Sequence, residues 1–319
     1  MDKLTVPSVL FFCVTLAGGG VWGGAVSYEG QCGWRWFGNT RPSRMAGGDL
    51  AGRNEFPWHV SLQLRHNEGF QSEHFCGGAV LNKRWVLTAR RCFDLQRFAN
   101  MSIDPYKSVV VRAGEHNLNQ TESSEQNRLV EEVAYLPGHD IALLKVIAPF
   151  TLQPRTVAPI CLPDLSDDPP SPPGDCVLAG WGDTNAGPSN LPMSLNMPIL
   201  SGNECINFGV PFSESICAGY VFEDKGAGAP CWGAMGSPLA CRGADGRYYV
   251  WGVLTDLTSV SCLPPHTPAV FAEVGHSMKW IEQTIGSEEP PPTPSPELPT
   301  TPQEPPTSPE CKKEDRNTL

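Results

Sequence analysis

Twelve cysteines in a chain of 319 residues limit its fold more than any other feature. No two of them form a CxxC pair, so they do not read as a structural zinc site, and they outnumber what a cytosolic protein usually carries. Paired as disulfides, they place the chain in an oxidising compartment. The N-terminus agrees. Asp2 and Lys3 precede an apolar run over residues 6–16, followed by small residues at 18–20 and 23–25, the pattern of a signal peptide cleaved near Ala25. That run is shorter than the roughly 20 apolar residues a membrane span requires. The polar C-terminus also lacks the hydrophobic tail of a lipid-anchor signal. The expectation is a secreted, extracellular protein without a membrane span. A net charge of -11 argues against nucleic acid as a partner, because nucleic acids select basic faces. No cofactor and no metal are expected.

The pattern predicts four segments. After the signal peptide (1–25) comes a leader (26–44) with Cys32 and no periodic run. From 45 to 286, short β-rich runs are cut by Gly, Pro, Asn and Asp, and the expected strands cover 59–65, 78–87, 108–113, 140–146, 176–181, 248–254 and 269–274. Many short strands without alternating helices mean an all-β barrel or sandwich. Apolar Met278, Ile281 and Ile285 predict a closing helix over 277–285. Residues 287–319 are dominated by Pro, Ser, Thr and Glu, a composition that cannot bury a core and is expected to be a disordered tail. Asn100 and Asn119 begin sequons, so both are glycosylation candidates.

Several blocks carry a specific resemblance. Phe56-Pro57-Trp58-His59-Val60-Ser61-Leu62, Cys76-Gly77-Gly78, Trp85-Val86-Leu87-Thr88-Ala89, Asp140-Ile141-Ala142-Leu143-Leu144-Lys145, Cys161-Leu162-Pro163, Ala179-Gly180-Trp181-Gly182, Ile216-Cys217-Ala218-Gly219 and Pro268-Ala269-Val270-Phe271 resemble, in order, the landmarks of the chymotrypsin-like and trypsin-like serine proteases. The resemblance implies an all-β fold of two six-stranded antiparallel β-barrels with a C-terminal helix and a cleft between the barrels. It also implies the disulfides Cys32–Cys161, Cys76–Cys92, Cys176–Cys241, Cys205–Cys217 and Cys231–Cys262. Cys13 leaves with the signal peptide, and Cys311 is then an odd thiol, either free or bridged to another molecule.

The same resemblance locates a catalytic triad, and this chain departs from it at two positions. Where the family has Thr-Ala-Ala-His-Cys, this sequence has Thr88-Ala89-Arg90-Arg91-Cys92, so Arg91 takes the place of the general base. A guanidinium stays protonated and cannot accept a hydroxyl proton. Where the family has Gly-Asp-Ser-Gly-Gly-Pro, this sequence has Gly233-Ala234-Met235-Gly236-Ser237-Pro238, which puts a thioether at the attacking position and Ala234 where the activation-linked aspartate belongs. Asp140 alone remains of the triad and is expected to be a buried acid. Arg91 is expected to turn toward it, and His139, if on a strand, to face the other way. The specificity-pocket positions correspond to Ala229, Thr255, Asp256, Leu257 and Ala269, with Leu257 and Ala269 expected to narrow the pocket. The cleavage site keeps Arg44 but has Met45-Ala46-Gly47-Gly48 after it.

These departures lead to the expectation that the chain is not an enzyme but an inactive, secreted serine protease homologue that binds a protein partner whose identity the sequence does not encode. Two other readings stand beside it. One is an endopeptidase using a different constellation, and the other is a structural secreted domain without a dedicated partner.

Overall fold

The computed structural model describes residues 32–36, 48–65, 72–93, 108–164, 169–170, 174–184, 187–210, 215–221, 230, 233–255 and 267–286. Strand β1 (Asp49–Leu50) is short, and β2 (His59–Arg65), β3 (Ser72–Val80), β4 (Trp85–Thr88), β5 (Val109–Ala113), β6 (Gln126–Tyr135) and β7 (Ala142–Val146) follow it. These last six close into a barrel in the order β2-β3-β4-β7-β6-β5. Strands β8 (Cys176–Thr184), β9 (Gly187–Asn196), β10 (Ser215–Ala218), β11 (Pro238–Arg242), β12 (Tyr248–Leu254) and β13 (Ala269–Glu273) join β1 in a second antiparallel sheet, ordered β1-β9-β8-β11-β12-β13-β10. Helix α1 (Gly202–Asn207) lies between β9 and β10, and α2 (Met278–Gly286) ends the described chain with Met278 and Ile281 buried. The all-β class, the antiparallel sheets and the C-terminal helix agree with the sequence reading.

Strand β2 shows how the two sheets meet. Val60, Leu62 and Leu64 alternate along it and point into the barrel core. His59, Ser61 and Gln63 occupy its other face and are nonetheless buried, at 6%, 0% and 1% exposure, because β2 and β3 lie against β8 of the second sheet. Buried polar groups need partners. Gln63 Nε2 donates to Ser61 Oγ at 3.0 Å, and Ser61 Oγ meets His74 Nδ1 at 2.7 Å. His74 Nε2 lies 2.9 Å from the Gly233 carbonyl oxygen, so Nε2 carries the proton and Nδ1 accepts from the serine hydroxyl. His59 has no such chain. Among the described residues neither of its ring nitrogens has a hydrogen-bond partner, and the ring stacks on Trp181 with centroids 5.0 Å apart.

Several element boundaries differ from the sequence reading. The run expected as one strand over 78–87 is two, because Asn82 Oδ1 accepts the N–H groups of Arg84 and Trp85, at 2.8 and 2.9 Å, and turns the chain. Strand β6 carries no clean alternation and is largely exposed; its place comes from pairing with β5 and β7. Helix α1 was not foreseen, although Ser201 and Glu204 form a capping box at its start.

Disulfides join Cys32 to Cys161, Cys76 to Cys92, Cys176 to Cys241 and Cys205 to Cys217. The leader residues 32–36 are also held by Gly33, whose N–H donates to Pro159 O and whose carbonyl accepts from Tyr248 N, both at 2.8 Å. Arg35 adds an ion pair to Glu55 at 2.6 Å and stacks over Phe56. The expected pair Cys231–Cys262, Cys311, the signal peptide and the Pro-rich tail lie outside the described residues. Among the described residues, no helix is long and apolar enough to cross a membrane.

Candidate functional site

Beyond β4 the chain enters a 3-10 turn, Arg90–Phe93, which buries Cys92 and Phe93 and leaves Arg90 and Arg91 facing outward. The Cys76–Cys92 disulfide anchors this turn to β3. Pairing of Thr88 with Ala142 brings the residues ahead of β7 alongside it. As a result Asp140 Oδ1 accepts the Arg91 backbone N–H at 2.9 Å, and Arg91 Nε lies 2.8 Å from Asp140 Oδ2.

The ion pair is therefore present, but its setting corrects the expectation of a buried acid. The Arg91 side chain is 47% exposed and that of Asp140 19%. The turn sits at the mouth of a cleft, so water reaches the guanidinium and screens the pair. Exposed pairs contribute about 0–1 kcal/mol. Arg91→Ala is accordingly expected to lower unfolding free energy by about 1 kcal/mol or less in urea titration, and the backbone bond to Oδ1 survives the substitution. A loss of about 3 kcal/mol or more would mean a desolvated pair. His139 corrects a second expectation. Residues 136–140 form a turn rather than the start of a strand, and His139 and Asp140 line the same cleft with Arg90, Arg91, Phe93 and Tyr135.

Met235 lies in the loop before β11. Its side chain is 8% exposed and packs in the same hydrophobic cluster as the barrel interior, while its carbonyl accepts from Gly77 N at 2.7 Å. Ala234 is equally buried. What Arg91, Asp140 and Met235 offer here is ion pairing and apolar packing. Of the pocket positions, Thr255 is buried with its hydroxyl donating to Val270 O at 3.2 Å, and Ala269 is buried on β13. Ala229, Asp256 and Leu257 lie outside the described residues, as do Asn100 and the Arg44-Met45 bond. Asn119 stands exposed in a turn.

Sequence reasoning overlooked two constellations. One is the Ser61–His74–Gly233 chain between the sheets, because a serine on β2 and a histidine on β3 meet only through strand register. The other brings carboxylate oxygens of Glu115, Glu122 and Glu125 within 4.8 Å of one another. These carboxylates are the donors that could hold a cation among the described residues. Arg112 pairs with Glu115 at 3.0 Å and Arg53 with Glu122 at 2.6 Å, so guanidiniums already offset much of their charge. Burial pushes the Glu115 carboxyl above its ordinary range, and the hydrogen bond from Arg112 opposes that shift.

The trypsin family model matches residues 45–281. Chymotrypsin-like elastase family member 1 of Homo sapiens is 31% identical over 268 residues, covering 77% of this chain and 93% of that protein. Trypsin-1 of Salmo salar is 34% identical, covering 70% of this chain and 86% of its own length. Trypsin of Sus scrofa is 30% identical, with 76% and 96% covered. These matches correct the expectation that the chain is not an enzyme: the family and the relatives named are proteases, and the comparisons class this chain with them. With a closed six-stranded barrel facing a second antiparallel sheet, and a match over most of its length, the chain belongs to the trypsin-like family of serine proteases.

Proposed function

We propose that this chain is a secreted member of the trypsin-like family that acts by recognising a second protein, with the turns around the Arg91–Asp140 cleft as the contact surface. The observation that carries the reading is the cleft itself. Two arginines project from a turn that a disulfide ties to a rigid barrel, an arrangement suited to binding because little is left to order on contact. The four disulfides fit an extracellular protein. In this reading residues 1–25 are a signal peptide, 26–44 a disulfide-tethered leader, 45–286 the family domain and 287–319 a Pro-rich tail. Asn100 and Asn119 carry glycans, Cys231 pairs with Cys262, and the pocket formed by Ala229, Thr255, Asp256, Leu257 and Ala269 is narrow.

The test is capture of partners from native secretions by the whole chain, by a version ending at residue 286, and by one with residues 136–139 replaced with Gly and Ser. Retention by the first two versions and loss in the third supports the reading. Retention by the third equal to that of the whole chain, or no retention by any version, would remove the cleft as the recognition surface.

A further inference from the structure

The cleft beside the ion pair has a volume of about 440 Å³. Its wall carries two guanidiniums against one carboxylate. Arg91 is committed to Asp140, at 2.8 Å. Arg90 is exposed and held over the Tyr135 ring at 5.5 Å, and it has no carboxylate partner among the described residues. Buried Phe93 supplies an apolar floor, and His139 stands at the rim. Among the described residues the local balance is thus one positive charge, on a chain whose net charge is -11. That contrast decides the ligand. An extended polyanion needs a broad basic face and would be repelled by the rest of this molecule, whereas a single carboxylate needs only the two arginines. A space of this size with an aromatic lining also leaves room for an apolar neighbour of the acid.

We infer that this cleft is a binding site for one acidic side chain, an Asp or Glu of a bound polypeptide, with Arg90 and Arg91 as its cationic wall and Tyr135 and Phe93 receiving an apolar residue beside it. Tyr135 holds Arg90 in place through its ring face, so the guanidinium is already oriented and little side-chain freedom is lost on binding. Arg91, fixed by two contacts to Asp140, is oriented in the same way. The inference rests on the protein-recognition reading and names the chemistry of the partner.

The experiment uses the full secreted chain and fluorescein-labelled hexapeptides Ala-Ala-Phe-Glu-Ala-Ala and Ala-Ala-Phe-Gln-Ala-Ala, followed by fluorescence anisotropy in low salt. The Glu peptide is expected to bind about 10-fold more tightly than the Gln peptide, the size of one charge-assisted hydrogen bond. Because the protein as a whole repels an anion, such a preference has to come from local cations. Arg90→Gln should reduce the ratio to about 1–3 and Arg90→Lys should retain part of it; because Arg90 is exposed, both variants should melt with the parent. Equal binding of the two peptides, no binding of either, or an unchanged ratio in both Arg90→Gln and Arg91→Gln would overturn the inference. So would displacement of the Glu peptide by inorganic phosphate at a lower concentration than by unlabelled Glu peptide. Partner capture that persists alongside any of these results would leave the recognition reading standing and this inference alone refuted.

Discussion

Lowering the pH from 7 to 4 is expected to remove about 3 kcal/mol of stability through His59 alone, and His59→Phe should abolish that component. The imidazole is buried against Trp181, with neither nitrogen hydrogen-bonded among the described residues. Burial, with a further contribution from nearby His74, pushes its pKa down to about 3 from an ordinary 6.5. The unfolded chain therefore binds the proton far more readily than the folded one. Stability from this group is intact above about pH 6.5 and falls by about 1.4 kcal/mol per unit as the pH drops toward 3. His116, held low mainly by its burial, adds in the same direction. Phenylalanine keeps a ring against Trp181 and removes two unsatisfied nitrogens, so the variant should match or exceed the parent at pH 7. Urea titrations followed by tryptophan fluorescence at pH 7, 5.5 and 4 give the answer. Parallel loss of stability in parent and variant would show that His59 is solvated or paired.

The second large effect is expected at Gly236, next to Met235. Its φ of +83° lies in the left-handed region, and a Cβ there would press on the Thr88 hydroxyl, come within 2.5 Å of the Gly77 carbonyl oxygen and meet Cys92 Sγ at 3.1 Å. The same hydroxyl donates to Gly77 O at 2.8 Å, and Gly236 N donates to Leu254 O at 2.8 Å, so the loop has no free direction in which to relax. Gly236→Ala should therefore cost about 2–5 kcal/mol, the left-handed penalty of about 1–2 plus overpacking of about 1–3. Gly246 provides the control. Its φ is also +83°, but among the described residues the one neighbour near a Cβ is the end of the Arg242 side chain at 3.7 Å. Gly246→Ala should cost only the backbone part, about 1–2 kcal/mol. Equal losses at the two positions would refute the steric argument for the Met235 loop.

Much of the scaffold was legible in the order of residues. Val60, Leu62 and Leu64 alternate and make β2; His59–Arg65 and Tyr248–Leu254 are strands over the span the pattern marks. Cysteine number pointed to disulfides, and the family blocks located Arg91, Asp140 and Met235. The polar strand β6 and the short strands β10 and β11 were not legible, because each is held by its neighbours in the sheet rather than by its own alternation.

The sequence by itself determined which side chains stand at the site positions, since identity is a local property and the blocks around Arg91 and Met235 are distinctive. It also determined the all-β class, because period-two alternation and frequent turn residues leave little else. The tertiary structure alone decided the environment of each side chain. Arg91 and Asp140 pair in half-open water because the turn they share lies outside the paired ends of β4 and β7. His59 lies dry because the second sheet covers a face of β2 that alternation alone would assign to solvent. Burial depends on which surfaces meet across long stretches of chain, and that pairing is set by the packing of whole sheets rather than by the residues next to one another.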